Sequence, residues 1–180
     1  MLTSGALRDL QYQVGADHVY TRPADLAAYA FDAGGASGER RLPDAVAFPA
    51  STEEVSRLVQ VCGRHGVPVI PRGAGTGYAG GAVAVSGGLI LNLCRMSRIL
   101  GLEGEAGRIR AEAGVVTAAI QRRAGEAGLY YPPDPGAATT STIGGNVACN
   151  AAGPHALRYG NTADHLVGAT AVLADGRVVR

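Results

Sequence analysis

Apolar positions recur at helical spacing in one clear stretch of the chain and cluster as short runs in several others. Val55, Leu58, Val59 and Cys62 fall on one face of a 3.6-residue repeat. Ser51-Thr-Glu-Glu54 precedes them, with a serine at the cap and a glutamate three residues on. The pattern predicts a helix that opens at Ser51 and stops at Gly66. Apolar runs at 45–48 and 67–70 flank it, so residues 45–70 read as a β-α-β unit. Residues 89–93 and 108–113 read as further strands, and 117–127 as a helix ending before Gly128. A short helix is expected over 25–31, with Pro23 near its start where proline is tolerated. Residues 132–153 read mostly as loop, with a helical stretch at 143–150. Residues 166–173 read as a strand, Asp175-Gly176 as a hairpin turn and 177–180 as the start of a return strand. A chain that stops inside a hairpin leaves an unpaired edge, so a C-terminal truncation is expected.

Composition narrows the class. The chain has 180 residues, 47% hydrophobic and 17% charged, with a formal net charge of +1. That is enough for a domain with a sizeable core, and it excludes the strong basic field of a nucleic-acid binder. No apolar run reaches the length of a transmembrane helix, and the first ten residues lack the apolar core of a signal peptide. Cys62, Cys94 and Cys149 lie far apart, without a C-x-x-C pair, which argues against a disulfide framework, zinc or an iron–sulfur cluster. A reducing cytoplasm is the expected compartment.

Candidate chemistry begins where the 67–70 run ends. Pro71-Arg-Gly-Ala-Gly-Thr-Gly-Tyr-Ala-Gly-Gly81 holds five glycines, one arginine and one threonine. Glycines allow positive φ and close backbone approach, and such a loop leaves several N–H groups free to converge on one anion. A P-loop would need a lysine after its last glycine. The chain has no lysine, since all 16 basic residues are arginine, and this also removes a lysine Schiff base. Gly75, Gly77 and Gly80 match G-x-G-x-x-G, yet a glycine-rich, strand-like stretch follows rather than a helix, and no acid stands at the spacing a Rossmann fingerprint requires. A literal match without its helix leaves the Rossmann reading weak but open, and a third option is a loop that carries the diphosphate of FAD. A dinucleotide is long, so a second glycine-rich wall is expected, and Tyr131-Pro-Pro-Asp-Pro-Gly through Ser141-Thr-Ile-Gly-Gly-Asn-Val-Ala-Cys-Asn-Ala-Ala-Gly153 supplies one.

Together, Pro-Arg-Gly-Ala-Gly-Thr-Gly and Pro-Pro-Asp-Pro…Ser-Thr-Ile-Gly-Gly-Asn-Val-Ala-x-Asn-Ala resemble the FAD-binding domain of the vanillyl-alcohol oxidase/p-cresol methylhydroxylase (PCMH) superfamily. Within it the chain is most similar to the glycolate oxidase flavoprotein subunit and to D-lactate and D-2-hydroxyacid dehydrogenases. The similarity runs from about Asp32 to Gly176.

The resemblance implies an α+β, two-lobed FAD-binding domain of PCMH type. A small parallel β-α-β lobe comes first and a mixed or antiparallel sheet lobe second. A helical segment at 1–41 precedes the FAD-binding domain at 42–180, which is incomplete and lacks the family's substrate domain. It further implies FAD held by Pro71, Arg72, Gly73, Ala74, Gly75, Thr76 and Gly77 on one wall. Pro133, Asp134, Pro135, Thr140, Ser141, Gly144, Gly145, Asn146, Ala148, Asn150 and Ala151 form the other, with Thr142 offering a further hydroxyl. Some superfamily members attach flavin to a histidine of the first loop. Here Thr76, Gly77 and Tyr78 occupy that region and no histidine lies between His65 and His155, so FAD is expected to be non-covalent. Ala152 stands where relatives usually have glycine. The four histidines show no metal-ligand spacing, and no catalytic residue is assigned. Cys149 reads as packing rather than redox-active. His155 reads as a satisfied or exposed side chain near the cofactor wall.

The function implied is the FAD-binding part of an oxidoreductase that oxidises a 2-hydroxy acid, of glycolate or D-lactate type, by hydride transfer to flavin. The partners implied are the hydroxy-acid substrate, a C-terminal domain outside this chain and an iron–sulfur subunit, with peripheral attachment to the inner membrane through such partners. A non-enzymatic nucleotide-binding or interaction module stands as the alternative, and a sugar-alcohol or cell-wall-precursor oxidoreductase as a third reading within the fold.

Overall fold

The computed structural model describes residues 2–35 and 42–180. The boundary expected at 41/42 falls at the edge of residues 36–41, which lie outside the described residues. The chain forms two compact units, residues 1–95 with 168–180, and residues 96–167.

The first unit begins with α1 (Ser4–Val14), capped by the Thr3 hydroxyl, which accepts from the Ala6 N–H at 3.2 Å. Ala6, Leu10 and Val14, four residues apart, are its buried stripe. β1 (Val19–Tyr20) follows, then α2 (Pro23–Leu26), with proline in its first turn, and a 3₁₀ turn over Ala27–Tyr29. Next come β2 (Ala45–Ala47), α3 (Thr52–His65), β3 (Val69–Arg72) and β4 (Leu89–Asn92). The Ser51 hydroxyl caps α3 as expected, taking the Glu54 N–H at 3.2 Å. Glu54 reaches the N–H of Ala50, one residue further out than a capping box requires.

The sheet order is β1-β2-β4-β3, with β2, β4 and β3 parallel and β1 antiparallel on the edge. The expected β-α-β unit is therefore split, because β4 inserts between the two strands that α3 connects. Both central strands are buried along their full length. Their alternate residues face opposite sides: Ala45, Ala47, Leu89 and Leu91 join Leu10, Leu58 and Cys62, while Val46 and Ile90 join Leu26 and Ala84. β3 starts two residues later than expected. The Val67 N–H turns back to the Cys62 carbonyl at 2.9 Å and completes the C-terminal cap of α3 instead of entering the sheet. Pro71 sits on this edge strand, where a missing N–H is tolerated.

The second unit pairs β5 (Ile99–Glu103) antiparallel with β6 (Arg108–Ala111), followed by α4 (Thr117–Gly125), α5 (Ile143–Cys149) and α6 (Ala156–Tyr159). The strand expected over 166–173 shortens to β7 (Ala171–Val172), and at its expected start the Leu166 N–H closes a 3₁₀ turn onto the Ala163 carbonyl. β7 pairs antiparallel with β8 (Val178–Val179) across the expected Asp175-Gly176 turn. This hairpin rejoins the first unit, where the Ser56 hydroxyl donates to the Gly176 carbonyl. Among the described residues no helix is long and apolar enough to cross a membrane. The architecture is α+β with parallel and antiparallel pairing, as expected.

Candidate functional site

β3 delivers the chain into the first glycine loop at Arg72, and the Arg72 side chain turns inward. It is only 7% exposed. Nη1 donates to the Ala82 carbonyl and Nη2 to the Phe31 carbonyl, each at 2.9 Å, and the guanidinium lies 5.4 Å from the Tyr29 ring centroid. Burial lowers its pKa, while Tyr29 and Asp32 oppose that shift. Asp32 is equally buried and closes the other side of the loop. Its Oδ1 accepts from Gly34 N–H at 3.0 Å and its Oδ2 from Gly80 N–H at 2.9 Å. The Ala33 N–H bonds the Gly75 carbonyl at 2.9 Å. Gly75 has φ +72°, and a Cβ there would overlap Nη2 of Arg72, so the position requires glycine on two counts. The loop's fixed contacts thus run through carbonyls, Arg72 and the Gly80 amide. Among the described residues, the N–H groups of 74–79 donate to no protein acceptor. Unpaired amides on a fixed loop form the donor nest that phosphate oxygens take.

In the second unit the expected residues divide into two groups. Ser141 and Asn146 are buried, and each is bonded to the buried Thr117. The Thr117 hydroxyl lies 2.8 Å from the Ser141 hydroxyl and 3.1 Å from the Ser141 carbonyl, and Asn146 Nδ2 donates to it at 2.7 Å. Gly144 serves backbone packing: its N–H donates to the Ala113 carbonyl at 2.8 Å, and a Cβ would come within 2.7 Å of the Ala113 methyl. Thr140 is exposed and bonds back to the Ala137 carbonyl at 3.2 Å. Asn150 Oδ1 accepts from Ala163 N–H at 2.9 Å, and the Ala151 carbonyl takes the Thr162 hydroxyl at 2.7 Å. The Pro133 carbonyl accepts from Gln121 Nε2 at 3.0 Å. Asp134 faces His155, with Oδ2 2.8 Å from Nδ1 and Oδ1 taking the His155 N–H at 3.2 Å. His155 is therefore satisfied by Asp134. Pro135, Gly145 and Ala148 carry no side-chain hydrogen bond by their nature. Ala148 and Asn150 are exposed on the last turn and cap of α5.

Among the described residues one buried side-chain polar atom has no protein partner, the Thr142 hydroxyl, in a residue 5% exposed. A buried hydroxyl left unpaired costs about 1–3 kcal/mol, so the fold carries a donor that an external acceptor would satisfy. Each unit, taken separately, therefore presents donors suited to phosphate oxygens: the amides of 74–79 in the first and Thr142 in the second. The amides of the first loop are donors of the kind that the diphosphate of a flavin dinucleotide takes.

Asp32 and Thr117 were not assigned site roles from sequence. Asp32 marks where the family similarity begins, but its partner Gly80 stands 48 positions away. Thr117 showed only as the start of a helix. Burial pushes the Cys62 thiol up to about 11, whereas Cys94 and Cys149 are exposed. Among the described residues no group of three or more His, Cys, Asp or Glu gathers as a metal site.

The profile of a family described as "FAD binding domain" matches residues 43–180. The chain is 37% identical over its whole length to glycolate oxidase subunit GlcD of Bacillus subtilis, covering 38% of that protein. It is 41% identical over 138 residues to D-lactate dehydrogenase of Anaerostipes hadrus, 77% of this chain and 29% of that one. It is 37% identical to D-2-hydroxyglutarate dehydrogenase of Xanthomonas citri, 99% of this chain and 37% of that one. The chain thus spans less than two-fifths of the curated relatives it matches. Among solved structures, alkyldihydroxyacetonephosphate synthase superposes with a TM-score of 0.87 at 23% identity, covering 99% of this chain and 34% of that one. Substrate-bound p-cresol methylhydroxylase superposes with a TM-score of 0.82, also at 23% identity, covering 99% and 36%. These likenesses show the PCMH-type fold.

Proposed function

The chain belongs to the FAD-binding domain family, and from that premise we propose that it holds FAD without a covalent bond for an oxidoreductase acting on a 2-hydroxy acid of glycolate or D-lactate type. The observation that carries this reading is the first loop, pinned by Arg72 and Asp32 with the amides of 74–79 unspent. Those amides, with the Thr76 hydroxyl, would take the diphosphate oxygens. Hydrogen bonds to a charged group contribute about 1.5–3 kcal/mol each, so three or four suffice for tight retention. Thr142, taken by itself in the second unit, is a separate candidate hydroxyl for the cofactor. Pro133 and Pro135 stiffen the approach to Asp134, and Asp134 orders the turn that leads from α5 into α6 through His155. Bound FAD supplies the chemistry of accepting a hydride from the carbon that bears the substrate hydroxyl.

The substrate class rests on the relatives, which include a glycolate oxidase subunit and a D-lactate dehydrogenase. Groups that select the acid and accept its proton belong, on this reading, to parts of the whole protein that the chain does not span. Partner subunits and membrane attachment follow the same route.

The test is the visible spectrum of the purified protein, followed by acid precipitation. Flavin bands that pass to the supernatant are expected. Bands retained in the pellet would refute the non-covalent mode, and no flavin after adding FAD would refute the cofactor.

A further inference from the structure

We infer that Asp32 and Arg72 are positioning residues that preset the first glycine loop for the diphosphate, acting on the loop backbone rather than touching the cofactor. The inference rests on the proposed FAD reading and deepens it. Loops rich in glycine have many conformations to lose, and fixing one residue costs about 1–2 kcal/mol in backbone entropy. A cradle ordered only by its ligand would draw that cost from binding. This loop is ordered by the protein itself. Arg72 spans the carbonyls of Phe31 and Ala82 with its two terminal nitrogens, 41 and 10 positions away in sequence. Asp32 grips the amides of Gly34 and Gly80 with its two oxygens. The Ala33 amide holds the Gly75 carbonyl, and Gly34 comes so close that a Cβ on it would lie 2.8 Å from the Tyr78 carbonyl oxygen. The short run 31–34 is therefore a buttress along one side of the loop. Both charged side chains are spent on the protein, and the amides of 74–79 are left over.

A buried carboxylate beside an anion site is a liability if charge alone matters, since it repels diphosphate. Its presence makes sense as an acceptor for two backbone amides, with Arg72 offsetting its charge. Asparagine at 32 would accept one of those amides but set its own N–H₂ against the other. Lysine at 72 would keep the positive charge and lose the planar fork that spans two carbonyls.

The experiment uses the full-length protein carrying this chain, with FAD titrated by quenching of flavin fluorescence and the fold checked by circular dichroism. Asp32→Asn and Arg72→Lys are each expected to weaken FAD binding about 10- to 100-fold. Stoichiometry at saturating FAD should stay at the wild-type value. A partly misfolded sample would lower the stoichiometry instead. Tighter or unchanged binding in Asp32→Asn, or unchanged binding in Arg72→Lys, overturns the inference. If either variant loses its fold, Gly34→Ala decides, since it disturbs the buttress without changing a charge: unchanged FAD affinity in folded Gly34→Ala overturns it. A wild-type protein that binds no FAD sinks the proposed function, whereas wild-type binding with unaffected variants sinks only this inference.

Discussion

The two units are built on different physics. The first buries aliphatic side chains on both faces of a four-stranded sheet, with Leu10, Leu58, Leu89 and Ile90 wholly inaccessible. The second buries Met96, Val115, Ile120 and Ala124 but also Thr117, Ser141, Thr142, Asn146 and Thr162. Its interior is organised by directional bonds around Thr117 more than by apolar area. An aliphatic core tolerates repacking when volume is kept. A polar core is sensitive to the loss of a single partner, because the group left behind stays desolvated. The difference separates two ways of building an interior: in the first unit the glycine loop lies beyond an aliphatic sheet, while in the second the segment 141–146 holds the fold together and, among the described residues, carries the unpaired buried hydroxyl of Thr142.

Four substitutions or reactions test that contrast. Leu58→Ala should destabilise the first unit by about 3 kcal/mol, the usual cost of emptying a large buried site, read by denaturant unfolding. A loss below about 1 kcal/mol would mean that the aliphatic core is not what holds this unit. Thr117→Val removes a hydroxyl while keeping the side chain's shape and strands Asn146 Nδ2, so a loss of about 2 kcal/mol is expected. Its effect should appear as faster amide exchange in the second unit, and a neutral result would refute the polar-core account. Thr142→Val should behave oppositely. It relieves an unpaired buried hydroxyl, raising apo stability by about 1 kcal/mol, yet it should weaken FAD binding about tenfold. A variant that is both less stable and equally tight would assign Thr142 to the fold. The smallest effect concerns thiols. With Cys62 pushed up to about 11 by burial and Cys94 and Cys149 exposed, a thiol reagent at pH 8 should label two cysteines in the native protein and the third only on unfolding. Rapid labelling of Cys62 would show that the α3 side of the sheet opens easily.

Local signals carried much of the first unit. The Ser51 cap, the apolar face of α3 and the stop at Gly66 are set by neighbours within four residues, and all three stand in the structure. Where partners are distant, reading failed in specific ways. β3 shifted because a helix cap claimed the Val67 amide. β5 escaped notice because Gly101 interrupts its apolar run at a bulge, where the register slips between Ile99 and Gly101. The split of the β-α-β unit by β4 depends on strand order, which no local pattern encodes. Both glycine segments were legible from composition alone. The protein partners of their side chains were not: Ser141 read as a hydroxyl for the cofactor and Asn146 as bonding flavin or wall, and both bond Thr117, 24 and 29 residues away. Arg72 read as a backbone member of the cradle's wall, and where its guanidinium goes, onto the carbonyls of Phe31 and Ala82, had no local signal.

The return of the last residues to the first unit has a consequence for the order of assembly. The Ser56 hydroxyl finds its acceptor at Gly176, 120 residues later. During synthesis the sheet and α3 emerge early and wait while all of residues 96–167 are made, so that face of α3 is exposed to solvent until the β7–β8 hairpin arrives. Contacts of such sequence separation form late and slowly. A nascent chain halted before residue 168 would present that helix face uncovered, and the arrival of the β7–β8 hairpin is the step that covers it.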